Sequence, residues 1–457
     1  MKKQKTKTDL LLQSAKKIHM IGIGGSGMYP IAEIFHAQGY TLTGSDNNET
    51  DTLKKVRELG IPVVLGHFSD NVNGADAVIY SAAIQKDNPE LVSAEKQGIP
   101  TIERSFALGF LTRNYSNVIG VCGTHGKTTV SSMITQILLT AKIDAGAVIG
   151  GRLPLIDGNG RAGDSGIMIC EACEYVDTFL KLSPDTVVIL NIDEDHMEYF
   201  KTLENLISSF TKFAGMAKQI IVNADDENSL KAVENFDNII YYSTKNKKAD
   251  YNARNIEYRS KNAGEFDLYK KDDYICRIHV TVPGEHNISN ALCAAAAALN
   301  ADAGKNAVIT ALREFKGAGR RFEILGQING ATVADDYAHH PKEIEVTLNA
   351  AKKMGYNRVI AVFQPFTYSR TKLHLDEFAR VLSIADTAVI TEIMGSREIN
   401  TGDIHAKDLC EKTDNSIYCE TFEDIEKYVK NNAKENDLII TLGCGDIYKT
   451  AKMILEQ

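Results

Sequence analysis

The stretch Val118-Ile119-Gly120-Val121-Cys122-Gly123-Thr124-His125-Gly126-Lys127-Thr128-Thr129 constrains this chain more than any other, because it joins an apolar run to a glycine-rich turn ending in Lys-Thr-Thr. The apolar run reads as a buried strand and the residues after Lys127 as a helix. Glycines between them let backbone N–H groups approach phosphate oxygens, and the helix N-terminus adds the positive end of its dipole. In that reading Gly123, Thr124, His125, Gly126, Lys127, Thr128 and Thr129 cradle the phosphates of a nucleotide. Lys127 meets the β- and γ-phosphates, and the Thr128 hydroxyl holds Mg²⁺. The common form of the loop has a glycine where Val121 stands, so the match is to a variant. The alternative is an ordinary strand-to-helix turn with a solvated lysine.

A second glycine loop lies near the start. Lys17-Ile18-His19-Met20-Ile21 runs into Gly22-Ile23-Gly24-Gly25-Ser26-Gly27 and then a helical pattern through Ala37. Strand, Gly-x-Gly-x-x-Gly and helix open a Rossmann-like unit, and Asp46 lies roughly 20 residues on, where a ribose-binding acid would. Alone, this loop suggests a nicotinamide-dependent dehydrogenase.

The rest of the chain alternates strand-like and helical runs, the pattern of an α/β protein. At 457 residues the chain is long enough for about three domains. We expect boundaries at 1–114, 115–318 and 319–457: a Rossmann-like N-terminal domain, a central P-loop-type ATPase domain and a C-terminal Rossmann-like domain. Central strands are expected at Gly166–Cys170, Thr186–Leu190 and Gln219–Val222, short strands between Tyr241 and Val282, and an alanine-rich helix over Asn290–Leu299. The third segment carries strands at Thr332–Asp336, Arg358–Phe363, Thr387–Ile390 and Asp437–Thr441.

Composition narrows the function. A formal net charge of -9 argues against a general nucleic-acid binder. Leu10-Leu11-Leu12 is too short for a signal peptide, and no run approaches the roughly 20 apolar residues of a membrane span, so a cytoplasmic protein without membrane partners is expected. The oligomeric state is not legible. Eight scattered cysteines fit reduced thiols, and Cys170-Glu171-Ala172-Cys173, a lone CxxC at a strand end, is read as structural rather than as a zinc or redox site.

Ligands of open α/β sheets bind outside the carboxyl ends of strands. Glu171 ends one such strand, and Asn191, Asp193, Asp195 and His196 follow another, so they should share a crevice with Lys127. Glu171 and His196 supply the oxygen and imidazole ligands a phosphate-bound cation accepts; the bland alternatives are a solvated carboxylate and a structural histidine. Asp335-Asp336-Tyr337-Ala338-His339-His340-Pro341 gathers acids, a phenol and two imidazoles at a strand end, and Arg370 offers a two-pronged carboxylate contact or a surface salt bridge.

Taken in order, GIGGSGM (22–28), GTHGKTT (123–129), the Glu171 strand with Tyr175–Leu180, NIDEDHMEYF (191–200), PGEHNISNA (283–291), GRRFE (319–323), DDYAHHP (335–341) and Phe363-Gln364-Pro365 with Tyr368-Ser369-Arg370-Thr371 resemble the Mur ligase family over nearly the whole chain. The resemblance implies ATP-dependent joining of L-alanine to the carboxylate of UDP-N-acetylmuramate through an acyl phosphate, in peptidoglycan precursor synthesis. The alternative within the family is attachment of recycled peptide to the same sugar nucleotide. It further implies that Lys127 contacts the γ-phosphate, that Thr128, Glu171 and His196 hold Mg²⁺, and that His286, Asn287 and Asn290 contact the nucleotide. Arg321 and Asp336 match the family's C-terminal polar residues, while Tyr337, His339 and Arg370 match the region that receives the amino acid. Gly22, Gly24, Gly25 and Gly27, with Asp46 and Ser81, are then assigned to the UDP end of the sugar nucleotide rather than to NAD. Phe366, Met394 and Cys444 stand where the family pattern usually has His, Tyr and Ala.

Overall fold

The computed structural model describes residues 5–259, 264–396 and 398–456. It is an α/β structure with three sheets. The chain forms two compact units, one made of residues up to Asn255 with Asp267–Ile278 and Ser289–Leu312, the other of Ile256–Phe266, His279–Ile288 and Arg313 onward.

The first sheet contains β1 (Lys17–Ile21), β2 (Thr41–Asp46), β3 (Val63–Leu65), β4 (Ala77–Tyr80) and β5 (Thr101–Glu103), ordered β3-β2-β1-β4-β5 and parallel throughout. The strand order reverses at β1, so a crevice opens beyond the carboxyl ends of β1 and β4. The Gly22–Gly27 loop leaves β1 there and Ser81 leaves β4, and the Ser81 N–H donates to the Ile21 carbonyl at 3.2 Å. Both faces of the strands are covered by helices, which is why Ile18, Met20, Ile21, Val78 and Ile79 are all buried.

The second sheet has ten strands: β6 (Asn117–Cys122), β7 (Gly146–Leu153), β8 (Gly158–Arg161), β9 (Ile167–Glu171), β10 (Thr186–Ile189), β11 (Gln219–Asn223), β12 (Ile239–Ser243), β13 (Tyr251–Glu257), β14 (Gly264–Lys270) and β15 (Asp273–Val280). Their order is β15-β14-β13-β12-β11-β10-β6-β9-β7-β8. The strand that feeds the phosphate loop, β6, lies between β10 and β9 and is parallel to both. Three strand ends therefore converge on one edge. An α-helix over Lys127–Thr140 begins directly after Gly126, which adopts φ 86. A Cβ at Gly126 would lie 3.0 Å from Asn290 Oδ1 and 3.3 Å from Leu190 Cδ1, so both conformation and space require glycine. The hairpin β7–β8 was not foreseen from sequence: Gly146, Gly150, Gly151, Gly158 and Gly160 dilute its strand pattern.

The third sheet comprises β16 (Glu323–Ile328), β17 (Ala331–Asp336), β18 (Val359–Phe363), β19 (Thr387–Ile390), β20 (Ser416–Tyr418) and β21 (Leu438–Leu442), ordered β16-β17-β21-β18-β19-β20 with β16 antiparallel. The carboxyl ends of β17, β21 and β18 are neighbours, and they carry Asp336, Gly443-Cys444 and Gln364.

Candidate active site

In the first unit, the phosphate loop is held by the strand end beside it. Asn191, just past β10, accepts the His125 N–H at 2.8 Å through Oδ1 and donates Nδ2 to the His125 carbonyl at 3.1 Å. Thr124 N–H donates to the Asn191 carbonyl at 3.0 Å, and Thr124 Oγ1 accepts the Asp193 N–H at 2.9 Å. The loop is thus held by the neighbouring strand end, the kind of preorganisation that anion binding by backbone groups requires.

Lys127 Nζ donates to Glu174 Oε1 at 2.9 Å and to the Gly123 and Thr124 carbonyls at 2.6 and 3.1 Å. Burial works against the ammonium, but the Glu174 charge outweighs it and holds Lys127 protonated well above its ordinary range. Next in sequence, Thr128 Oγ1 donates to Glu171 Oε1 at 3.0 Å, and Glu171 Oε2 accepts the Gly150 N–H at 2.7 Å. Two hard oxygen donors from adjacent elements therefore meet at the loop, a donor set suited to Mg²⁺.

His196 caps the helix Met197–Phe200 with φ 56, its ring centroid 4.6 Å from that of Tyr175 and its nitrogens 3.7 and 3.6 Å from Asp195 and Glu198. Among the described residues no group of three or more His, Cys, Asp or Glu side chains is disposed to hold a metal unaided. A cation at Thr128 and Glu171 would thus complete its shell with phosphate oxygens, as Mg²⁺ commonly does. The flanking cysteines are free. Burial pushes the Cys170 thiol up to about 12 and raises Cys173 as well, which disfavours the thiolate that zinc or disulfide exchange needs.

The first glycine loop closes on Asp46, whose Oδ2 accepts the Gly24 N–H at 2.9 Å. The Arg104 guanidinium lies over the same loop, Nη1 only 3.1 Å from where a Gly27 Cβ would stand. Sequence reading missed this arginine because it follows a three-residue strand with no motif around it. The nucleotide-motif residues lie at the start of the helix His286–Asn300, where Asn287 Nδ2 donates to the Pro283 carbonyl at 2.5 Å.

In the second unit, Asp336 accepts the Phe322 and Ala338 N–H groups at 2.7 and 2.8 Å. Its burial raises the carboxyl to about 6, against the opposing pull of Arg321. The Tyr337 ring lies 5.3 Å from the Arg321 guanidinium, 4.9 Å from that of Arg320 and 5.5 Å from the His339 ring. Arg320 also stacks on Tyr448 at 4.8 Å and pairs with Asp335 at 2.9 Å. Burial pushes the Cys444 thiol up to about 12, against the opposing charges of Arg370 and Arg320. Phe366 and Met394 pair with each other by a single β-bridge beside this strand end.

Comparisons with known proteins place the whole chain among related sequences and folds. Three family models match in order: the Mur ligase catalytic domain over residues 17–116, the Mur ligase middle domain over 121–298 and the Mur ligase glutamate ligase domain over 320–445. The chain is similar to UDP-N-acetylmuramate--L-alanine ligase of Acetivibrio thermocellus, 42% identical over 97% of this chain and 96% of the relative. The Caldanaerobacter subterraneus protein of the same name is 40% identical over 98% of each. Among solved structures, the UDP-N-acetylmuramate-alanine ligase of Thermotoga maritima superposes with a TM-score of 0.84 at 28% identity, covering 96% of this chain and 98% of that one. A murein peptide ligase from Psychrobacter arcticus gives 0.75 at 26% identity, with coverage of 96% and 98%.

Proposed function

The chain belongs to the Mur ligase family, and we propose that within it this protein joins L-alanine to the carboxylate of UDP-N-acetylmuramate, cleaving ATP to ADP and phosphate. The substrate carboxylate attacks the γ-phosphorus and displaces ADP; the amine of L-alanine then attacks the acyl carbon, and phosphate leaves as the amide forms. This is an early step of peptidoglycan precursor synthesis. No helix among the described residues is long and apolar enough to cross a membrane.

The observation that carries the reading is the Thr128–Glu171 contact of 3.0 Å beside Lys127, at the edge where β6, β9 and β10 end together. That arrangement has the donors a metal-bound triphosphate needs. We assign Thr128, Glu171 and His196 to Mg²⁺, which when bound would offset phosphate charge. Lys127 and the N–H groups of the Gly123–Thr129 loop orient the γ-phosphate, with His286, Asn287 and Asn290 toward the nucleotide. The Gly22–Gly27 loop, Asp46 and Ser81 hold the UDP end; without side chains on Gly24 and Gly25 the backbone can approach a diphosphate. In the second unit we assign Arg321 and Asp336 as polar residues of the reaction, and Arg370, with Tyr337 and His339, to the amino-acid carboxylate.

Phosphate release with ATP, Mg²⁺, UDP-N-acetylmuramate and, in turn, L-Ala, Gly, L-Ser and L-Ala-γ-D-Glu-diaminopimelate tests the proposal. L-Ala should support the highest kcat/KM. Faster turnover with the tripeptide would instead identify a recycling ligase.

A further inference from the structure

Lys127 is fully engaged by groups of its own chain. An ammonium has three donors, and all three point inward: to the Gly123 carbonyl, the Thr124 carbonyl and Glu174 Oε1. Of these partners only Glu174 is charged. Its side chain is 2% exposed, and its second oxygen, Oε2, is buried with no hydrogen-bond partner. A carboxylate so placed cannot swing to solvent, and the segment that carries it is tied down. Thr178 Oγ1 and the Phe179 N–H both donate to the Cys173 carbonyl, at 2.9 and 3.0 Å, and Phe179 stacks on Phe213 at 4.5 Å. Asp177 is held by the Tyr199 hydroxyl at 2.8 Å and by Ser209. Val176 and Asp177 accept left-handed backbone at φ 52 and 56 to make the turn.

We propose that Glu174 is the positioning residue for Lys127: it parks the ammonium inside the phosphate loop until a triphosphate competes it away, so each nucleotide binds against this internal ion pair. The inference rests on the assignment of Lys127 to ATP. A γ-phosphate oxygen must displace at least one of the three acceptors; two are backbone carbonyls of the phosphate loop itself, and Glu174, on a different segment, is the one that carries a charge competing with phosphate. Glu174 is therefore the partner that is exchanged. A buried pair with no such role would only be destabilised by its removal, whereas a competing pair makes MgATP bind more tightly once the carboxylate is neutralised.

Isothermal titration of MgATP into the intact protein decides between these. Glu174→Gln should lower Kd roughly tenfold. Glu174→Asp, which keeps the charge but is one methylene too short for the 2.9 Å contact, should give a smaller decrease. The gain should vanish when Glu174→Gln is combined with Lys127→Ala, a coupling that general charge removal does not produce. Equal or weaker MgATP binding in folded Glu174→Gln overturns the proposal; should that variant not fold, a wild-type Kd in Glu174→Asp does so. Absence of MgATP binding by the wild-type protein would instead defeat the nucleotide assignment of the loop.

Discussion

At the scale of single residues, Lys127 and Asp336 illustrate two ways in which burial sets charge. Lys127 keeps its proton because Glu174 faces it. If its ammonium stabilises charge on the transferred phosphoryl group, Lys127→Ala should cost about 3 to 4 kcal/mol of barrier, a hundredfold or greater loss of kcat, with an unchanged circular-dichroism spectrum. Near-wild-type turnover at saturating ATP would contradict that role. Asp336 has the opposite bias: burial raises its carboxyl to about 6 in the folded chain. The folded state thus favours the protonated form, and stability from this group is largest at low pH and declines as pH rises through about 6. The ionised form, which accepts two N–H bonds, is the one present at neutral pH. Activity should therefore fall as pH drops through about 6, and Asp336→Asn should remove that limb from the pH profile of kcat/KM. Persistence of the limb in Asp336→Asn would assign it elsewhere. At the first glycine loop, a Cβ on Gly24 would stand 3.0 Å from both Asp46 Oδ2 and Leu53 Cδ1. Gly24→Val should raise KM for UDP-N-acetylmuramate far more than KM for ATP, with no NAD binding by either protein; equal effects on both constants would refute the assignment.

At the scale of elements, strand ends do the organising. The run Val118–Cys122, the loop and the helix after Lys127 were legible because apolar periodicity, glycine placement and a strand-to-helix transition all agree. The alanine-rich helix starts at His286, four residues before the expected Asn290, since its polar first turn masks the apolar pattern. Glu174 was not legible at all: it lies three residues beyond Glu171 in an irregular segment, and only the fold brings it to Lys127. Nor was the glycine-rich hairpin β7–β8, whose Gly160 packs on the helix Tyr29–Ala37 so closely that a Cβ would be 2.4 Å from Pro30 Cα. Gly160→Ala keeps an allowed backbone but overpacks this contact, and should lower stability by about 1 to 3 kcal/mol, read as an earlier urea transition. An unchanged midpoint would show that the hairpin is not packed as described.

For the molecule as a whole, fold class and family could be read from the sequence because eight short motifs recur in order, each at a strand or helix end. What the motifs could not convey is how each loop is fastened, as with Asn191 on His125 or Asp46 on Gly24. Those are contacts between distant residues with no fixed spacing. Phe366 and Met394 meet in a single β-bridge past the end of β18 and Cys444 follows β21, a grouping in the second unit that their separate motifs do not announce. The central claim is that the sugar nucleotide's own carboxylate is phosphorylated before the amide forms. The most direct measurement uses UDP-N-acetylmuramate carrying ¹⁸O in both carboxylate oxygens, with ATP, Mg²⁺ and L-alanine, and determines the mass of the released phosphate. One ¹⁸O atom should appear in each phosphate, because the bridging oxygen leaves with phosphorus when the amine attacks carbon; unlabelled phosphate released alongside amide product would contradict the account.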